Sequence, residues 1–204
     1  GIKRLARVVN VEARQLELIE ELADNVELPV QVTIASGFPK GDKLEFITQK
    51  VTELGASQIW AFPADWSVAK WDGKKLGKKV EKLEKIALGA AEQSKRNLVP
   101  SITLFEKKFD FLAQLDQFDR IVVAYEESAK DGEAAALIQS LTGLEAGSKL
   151  LFIFGPEGGL SPAEIDSFTA KGAVLAGLGP RILRAETAPL YALSAVSVVT
   201  ELMN

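Results

Sequence analysis

The chain is 204 residues long, enough for one full domain or one domain with a small attachment. Its 47% hydrophobic and 25% charged residues are the balance of an ordinary soluble globular protein. It contains no cysteine and no histidine, which excludes disulfides, thiol nucleophiles, cysteine-type zinc sites, Ser–His and Cys–His hydrolysis, histidine-based metal catalysis and pyrimidine C5 methylation through a cysteine adduct. The net charge of −4 is unevenly spread: seven lysines between Lys70 and Lys85 stand against Asp72, Glu81 and Glu84, a local +4 that leaves −8 for the remainder. Such a patch on an acidic chain fits one face turned to phosphate, or a merely solvated helix face.

Residues 1–33 read as short extended pieces, Arg7–Val11 and Leu28–Ile34, rich in β-branched residues and separated by an acidic stretch. They are too few to form a stable domain alone, and the turn-rich run Ala35–Asp42 is the expected boundary. No signal-peptide core follows Gly1-Ile2-Lys3-Arg4, and no apolar run is long enough to cross a bilayer, so a cytoplasmic location is expected.

From there helices and strands alternate. Leu44, Ile47, Val51 and Leu54 recur at helical spacing, with Gly55 at the C-cap. Ile59–Phe62 reads as a strand, and Leu76, Val80, Leu83 and Ala87 define a helix continuing towards Ser94. Strands at Ile102–Leu104 and Ile121–Tyr125 flank a short helical segment, and Glu133–Leu141 reads as helix. Leu150–Phe154 is a continuous apolar strand, Ala173–Ala176 a further one, and Pro189–Leu202 a final helix, apolar over most of its circumference and therefore expected to be buried. Apolar strands alternating with helices predict an α/β fold with a parallel sheet covered on both faces.

Two loops carry the candidate chemistry. In Gly155-Pro156-Glu157-Gly158-Gly159-Leu160-Ser161-Pro162-Ala163-Glu164, the second half is helix initiation: Ser161 as N-cap, Pro162 at the first helical position, Glu164 completing a capping box. The three glycines at a strand's carboxyl end are not explained by that, and ligands of open α/β sheets sit there. The spacing is neither a Walker loop nor a dinucleotide fingerprint, and by itself it leaves a ligand loop and a merely tight turn both open. The second loop, Leu178-Gly179-Pro180-Arg181-Ile182-Leu183-Arg184-Ala185-Glu186-Thr187-Ala188-Pro189, again lies between a strand and a helix that Thr187 can cap. Read alone it is a polar surface loop with an internal Arg–Glu pair, or a second ligand loop.

In this order, the two loops resemble the SPOUT superfamily of methyltransferases, and within it the family that methylates N3 of a uridine in 16S ribosomal RNA. Gly-Pro-Glu-Gly-Gly stands at 155–159, Leu-Gly at 178–179, Ile-Leu-Arg at 182–184 and Glu-Thr-Ala at 186–188. Lys40-Gly41-Asp42-Lys43 leading to Gln49-Lys50 and Glu53-Leu54-Gly55 is similar too, as is Ala91-Glu92-Gln93-Ser94 with Arg96 and Pro100. The resemblance spans residues 34–204. One departure is Asp65-Trp66-Ser67-Val68, where the family usually places an arginine before the serine.

The resemblance implies a SPOUT-type trefoil-knotted domain over 34–204, preceded at 1–33 by part of a PUA-like RNA-binding β-domain. It implies S-adenosylmethionine as cofactor, held by Gly155, Glu157, Gly158, Gly159, Leu178, Gly179, Ile182, Leu183 and Arg184, with no metal. Lys74, Lys75, Lys78, Lys95 and Arg96 are the expected RNA contacts. The implied partners are 16S ribosomal RNA or the small ribosomal subunit and a second copy in a homodimer, with no membrane. Methylating N3 requires an in-line donor, loss of a weakly acidic proton and stabilisation of the charge left on the base. Arg184 and Arg181 are the expected stabilisers, and Glu186 or Glu157 the expected proton acceptor or else a structural acceptor for backbone N–H groups. A SPOUT relative methylating a ribose 2′-hydroxyl and a non-catalytic RNA-binding module are the alternatives.

Overall fold

The apolar run expected as a strand is β7 (Lys149–Phe154), and its side chains alternate between two cores. Leu150, Phe152 and Phe154 point to one face, Leu151 and Ile153 to the other. Burial on both faces removes the usual alternation of polar with apolar residues, which is why the sequence reads as continuous. The computed structural model describes residues 2–23, 25–125 and 134–203, except for the side chains of 134 and 135.

In chain order the remaining elements are β1 (Lys3–Asn10), β2 (Gln15–Leu22), β3 (Gln31–Gly37), α1 (Lys43–Glu53), β4 (Gln58–Phe62), α2 (Gly73–Gln93), β5 (Ser101–Leu104), α3 (Lys108–Leu112), β6 (Arg120–Ala124), α4 (Ala134–Leu141), α5 (Pro162–Ala170), β8 (Val174–Ala176) and α6 (Ala188–Ser197), which ends in a π-helical turn over Val198–Leu202. The expected helix start at Glu133 lies outside the described residues. Six strands form one sheet in the order β5-β4-β3-β7-β6-β8, and every pairing in it is parallel. The α/β expectation holds. Phe111 of α3 and Ile165 and Phe168 of α5 bury one face, where Phe62 stacks on Phe111 at 4.2 Å. Ile47 and Val51 of α1, Leu137 and Leu141 of α4, and Ala192, Leu193 and Val196 of α6 bury the other. Leu76 and Leu83 of α2 extend that second layer over Ala61 of β4.

Several sequence expectations are corrected. Gln15–Leu22, which reads as part of an acidic spacer, is a strand paired antiparallel with β1 in a separate hairpin. Ala35, Ser36 and Gly37, taken as turn, complete β3 in the middle of the sheet. That strand begins at Gln31, so it runs through the boundary drawn between 33 and 34, and Val30 and Val32 already belong to the core. The last helix is buried only along Pro189, Ala192, Leu193 and Val196, while Tyr191 and Val198 are exposed.

Arg96, expected on the RNA-contacting face, is instead an internal clamp. Its side chain is 3% exposed and ion-paired with Glu27. Its Nη1 donates to the carbonyls of Thr52 at 2.9 Å and Ala56 at 2.7 Å. Glu27 Oε1 in turn accepts from the backbone N–H groups of Asn97 and Leu98. Three chain segments that enter or leave the sheet are thereby tied at one point, and the guanidinium has nothing left to offer a phosphate. Burial alone would raise the carboxyl of Glu27, but the hydrogen bond and charge of Arg96, with the two N–H groups, outweigh it and hold the pKa below its ordinary value. We predict that Arg96→Met, which strands the Glu27 charge and two carbonyls, lowers stability by about 3–5 kcal/mol in urea unfolding at neutral pH. The difference shrinks as pH falls through the lowered pKa of Glu27, because protonation removes the stranded charge.

Candidate functional site

Parallel strands bring the loops after β7 and β8 to the same end of the sheet, with β6 between them. The carboxyl end of β6, Ala124 with Tyr125, forms the floor of a cleft of about 760 Å³ whose walls are those two loops. This is the place, outside strand carboxyl ends, where open α/β sheets bind ligands, and the volume lies within the range of small-molecule sites.

The first wall is Phe154 to Leu160 with Pro162. Its glycines have packing reasons. A Cβ on Gly155 would lie 2.7 Å from the carbonyl carbon of Gly159, so the turn closes on itself only without one. Gly159 itself has φ +81°, the left-handed region that disfavours side chains. The loop also leans on the end of β3, where a Cβ on Gly37 would meet Pro156 Cδ at 2.5 Å. At its far end the predicted capping box is present: Ser161 Oγ accepts from Glu164 N, and Glu164 Oε2 accepts from Ser161 N.

The second wall is Ile182, Leu183, Arg184 and Ala185 with Ala188. Ile182 and Arg184 are exposed. Of the residues expected here, Arg181 is exposed but outside the cleft wall, and Leu178 packs against the core behind the loop. Gly179, with φ +87°, shapes the loop rather than lining the cleft. Thr187 stands at the N-cap of α6 without donating or accepting a capping bond.

Lys43, at the first position of α1, joins the walls. Its Nζ lies 2.9 Å from Glu157 Oε1 and 3.2 Å from Glu186 Oε2. Glu157 also accepts from Lys40 N at 3.1 Å. The hydrogen bond to Glu157, then the nearby Glu186 carboxylate, raise the Lys43 pKa against the opposing effect of burial. Burial would raise Glu157, but Lys43 and backbone N–H groups outweigh it and hold it below the ordinary carboxylate range. Glu186 is thus turned to Lys43 rather than into the cleft, and its buried Oε2 makes no hydrogen bond of regular geometry.

Trp66, 49% exposed, completes the rim. Its loop is fastened to α5. Asp65 N donates to Glu164 Oε1 at 2.9 Å, Ser161 Oγ donates to Asp65 Oδ2 at 2.5 Å, and Lys108 Nζ pairs with Asp65 and, at 2.7 Å, with Glu164. Lys108 above all, then Ser161, lowers the Asp65 pKa. Asp65 is therefore a fastening for the loop. Spacing and periodicity do not single out Lys43, Trp66 or Tyr125 as site residues. Lys43 stood inside a recognised motif, yet nothing in spacing discloses partners 114 and 143 positions away.

The loop continues to α2, whose N-cap Asp72 accepts from Lys75 N at 3.0 Å. Lys74, Lys75 and Lys78 are exposed along the first turns of that helix, and Lys95 is exposed beyond its end. Among the described residues no group of three or more acidic side chains is gathered to hold a metal ion, and no helix is long and apolar enough to cross a membrane.

Comparison with known proteins gives a consistent picture. Residues 26–197 match the family model described as RNA methyltransferase domain. A protein of Bacillus subtilis (strain 168), named ribosomal RNA small subunit methyltransferase E, is 54% identical over 187 residues, covering 92% of this chain and 73% of that one. Its namesake in Mycobacterium bovis is 32% identical, covering 98% of this chain and 76% of that one. The crystal structure of a ribosomal RNA small subunit methyltransferase E from Neisseria gonorrhoeae bound to S-adenosyl methionine superposes with a TM-score of 0.77 at 26% identity, covering 98% of this chain and 80% of that one.

The Lys43 bridge gives a testable pH dependence. Glu157 is lowered, so its share of the stability is present above the ordinary glutamate value of about 4.3 and lost as pH falls through its folded value. Lys43 is raised, so its share is present below about 10.4 and lost as pH rises through its folded value. We predict that Lys43→Met lowers the urea midpoint across the window between those values, and that its deficit disappears at both extremes.

Proposed function

We propose, from the premise that the chain belongs to the ribosomal RNA small subunit methyltransferase E family of RNA methyltransferases, that it transfers a methyl group from S-adenosylmethionine to N3 of a uridine in 16S ribosomal RNA. The observation that carries this reading is the cleft over β6, walled by two glycine-bearing loops that one lysine holds together.

The walls suit the cofactor. Gly155, Gly158 and Gly159 offer backbone rather than side chains, Leu160, Ile182, Leu183 and Ala188 offer apolar contact, and Glu157 is turned aside to Lys43. These residues would hold an adenosine and its polar tail, with Leu178 and Gly179 supporting the second loop from behind. S-adenosylmethionine supplies a methyl group on a positively charged sulfur. The protein's part is to hold the uracil ring in line with it and to exclude water, an arrangement that can supply roughly 7–11 kcal/mol. As N3 gives its proton to water, negative charge spreads to the neighbouring carbonyl oxygens, and Arg184 at the mouth of the cleft is the group that stabilises it. Glu157 and Glu186, both bound to Lys43, hold the loops in register instead of taking the proton. Arg181, outside the wall, has no part in this step.

The RNA path follows α2. Lys74, Lys75 and Lys78 meet phosphates, Lys95 extends the surface, and the target base leaves its stack to enter the cleft. The hairpin β1–β2, with Leu5, Val8, Leu16 and Leu18 exposed, is read as part of a PUA-like domain that buries them in a larger β-structure. The C-terminal segment is read as threaded through a trefoil knot. In support, β8 lies at the sheet edge, whereas α6 after it packs on the central strand β7 and on α1. Exposed Tyr191, Val198, Leu202 and Met203 support a homodimer across α6. The reaction takes place in the cytoplasm, because its substrate is ribosomal.

The test is methyl transfer from labelled S-adenosylmethionine to unmethylated small ribosomal subunits, with the modified nucleoside mapped by mass spectrometry. N3-methyluridine is expected, and a 2′-O-methyl nucleoside or no product would overturn the reading. Arg184→Ala is expected to lower kcat about 10²-fold in this assay.

A further inference from the structure

Trp66 is a large side chain at the rim of the cleft with no part in the methyl transfer described for the other lining residues. Trp60 packs edge-on against Phe105, Phe111 and Phe118, and Trp71 lies 4.3 Å from Phe38 and beneath Lys79. Trp66 has no such ring partner among the described residues, and it is 49% exposed. An indole of this size normally buries its area, so a half-exposed one in a cleft wall is an available apolar surface.

Its position is fixed from behind. The Asp65 backbone and carboxylate are bound to Glu164, Ser161 and Lys108, and Ser67 N donates to Ala64 O at 3.0 Å, closing a turn around the tryptophan. The indole overlies the glycine turn: a Cβ on Gly158 would lie 3.0 Å from Trp66 Cβ, and one on Gly159 would lie 3.9 Å from Cε3 and Cζ3. Four residues later the chain reaches Lys70, and then Lys74, Lys75 and Lys78. An aromatic plane on a fastened loop at the cleft mouth, followed directly by cations, is the pairing that single-stranded nucleic acid uses: bases stack on the ring while phosphates follow the charge.

We propose that the Trp66 indole is a stacking platform for the unpaired pyrimidine presented to the cleft, and thus a residue that positions the RNA rather than the cofactor. This rests on the methyltransferase reading of the same site. The test compares wild type with Trp66→Ala and Trp66→Phe. S-adenosylmethionine affinity is read by calorimetry, kcat and KM are read on small-subunit RNA, and thermal midpoints monitor folding. The alanine variant is expected to raise KM for RNA by about 5- to 150-fold, the loss of one stacked base. The phenylalanine variant should recover most of that, with cofactor affinity equal in all three. An unchanged KM for RNA in the alanine variant overturns the proposal. So does a parallel loss of cofactor affinity, which would make the indole part of the cofactor wall. If wild type binds S-adenosylmethionine but methylates a different RNA, the functional reading fails, while KM on that RNA still reads the platform. A wild type that methylates no RNA overturns both.

Discussion

One ammonium group stands at the centre of this site. Lys43 occupies the first position of α1, where the helix dipole disfavours a cation by a few tenths to one kcal/mol. It is there because two carboxylates meet it, Glu157 from the loop after β7 and Glu186 from the loop after β8. Those strands are not neighbours: β6 runs between them, so the loops stand about 10 Å apart at their roots. Without a bridge, two glycine-bearing loops at that spacing would be free to move apart. With it, the gap above β6 becomes a cleft of defined width. The same pairing turns both carboxylates to the lysine.

A second network does for the rim what Lys43 does for the walls. Glu164 is 2% exposed and closes the capping box of α5, yet it also accepts from Asp65 N and pairs with Lys108. Helix initiation and loop fastening thus share one carboxylate. The glycine loop, the start of α5 and the Trp66 turn form one connected unit, and the segment leaving that unit leads into the lysine-bearing face of α2.

Much of this was legible in the sequence. The period of Leu44, Ile47 and Val51 and the apolar run at 150–154 gave the elements and the parallel sheet, because burial dictates both patterns. The Ser161–Glu164 capping box was readable because both its bonds are local. What escaped detection was long-range or shaped by close approach. Arg96 reads as a helix-end cation beside lysines, and only the fold brings Glu27 to it from 69 residues upstream. Gly37 reads as turn, whereas it ends a strand so that Pro156 can come near. The β2 strand was hidden because its leucines at 16 and 18 are followed by Ile19, breaking the alternation where β1 also slips register. That Leu178 packs against the core is likewise not readable, because apolar character does not tell which side of a loop a residue occupies.

The loops after β7 and β8 are proposed as two halves of one cofactor site held by Lys43. Hydrogen–deuterium exchange with and without S-adenosylmethionine tests it most directly. Residues 155–160 and 182–188 are expected to gain protection together in the wild type, and to lose that gain together in Lys43→Met. Protection confined to one loop, or both loops protected as strongly without the lysine, would contradict it.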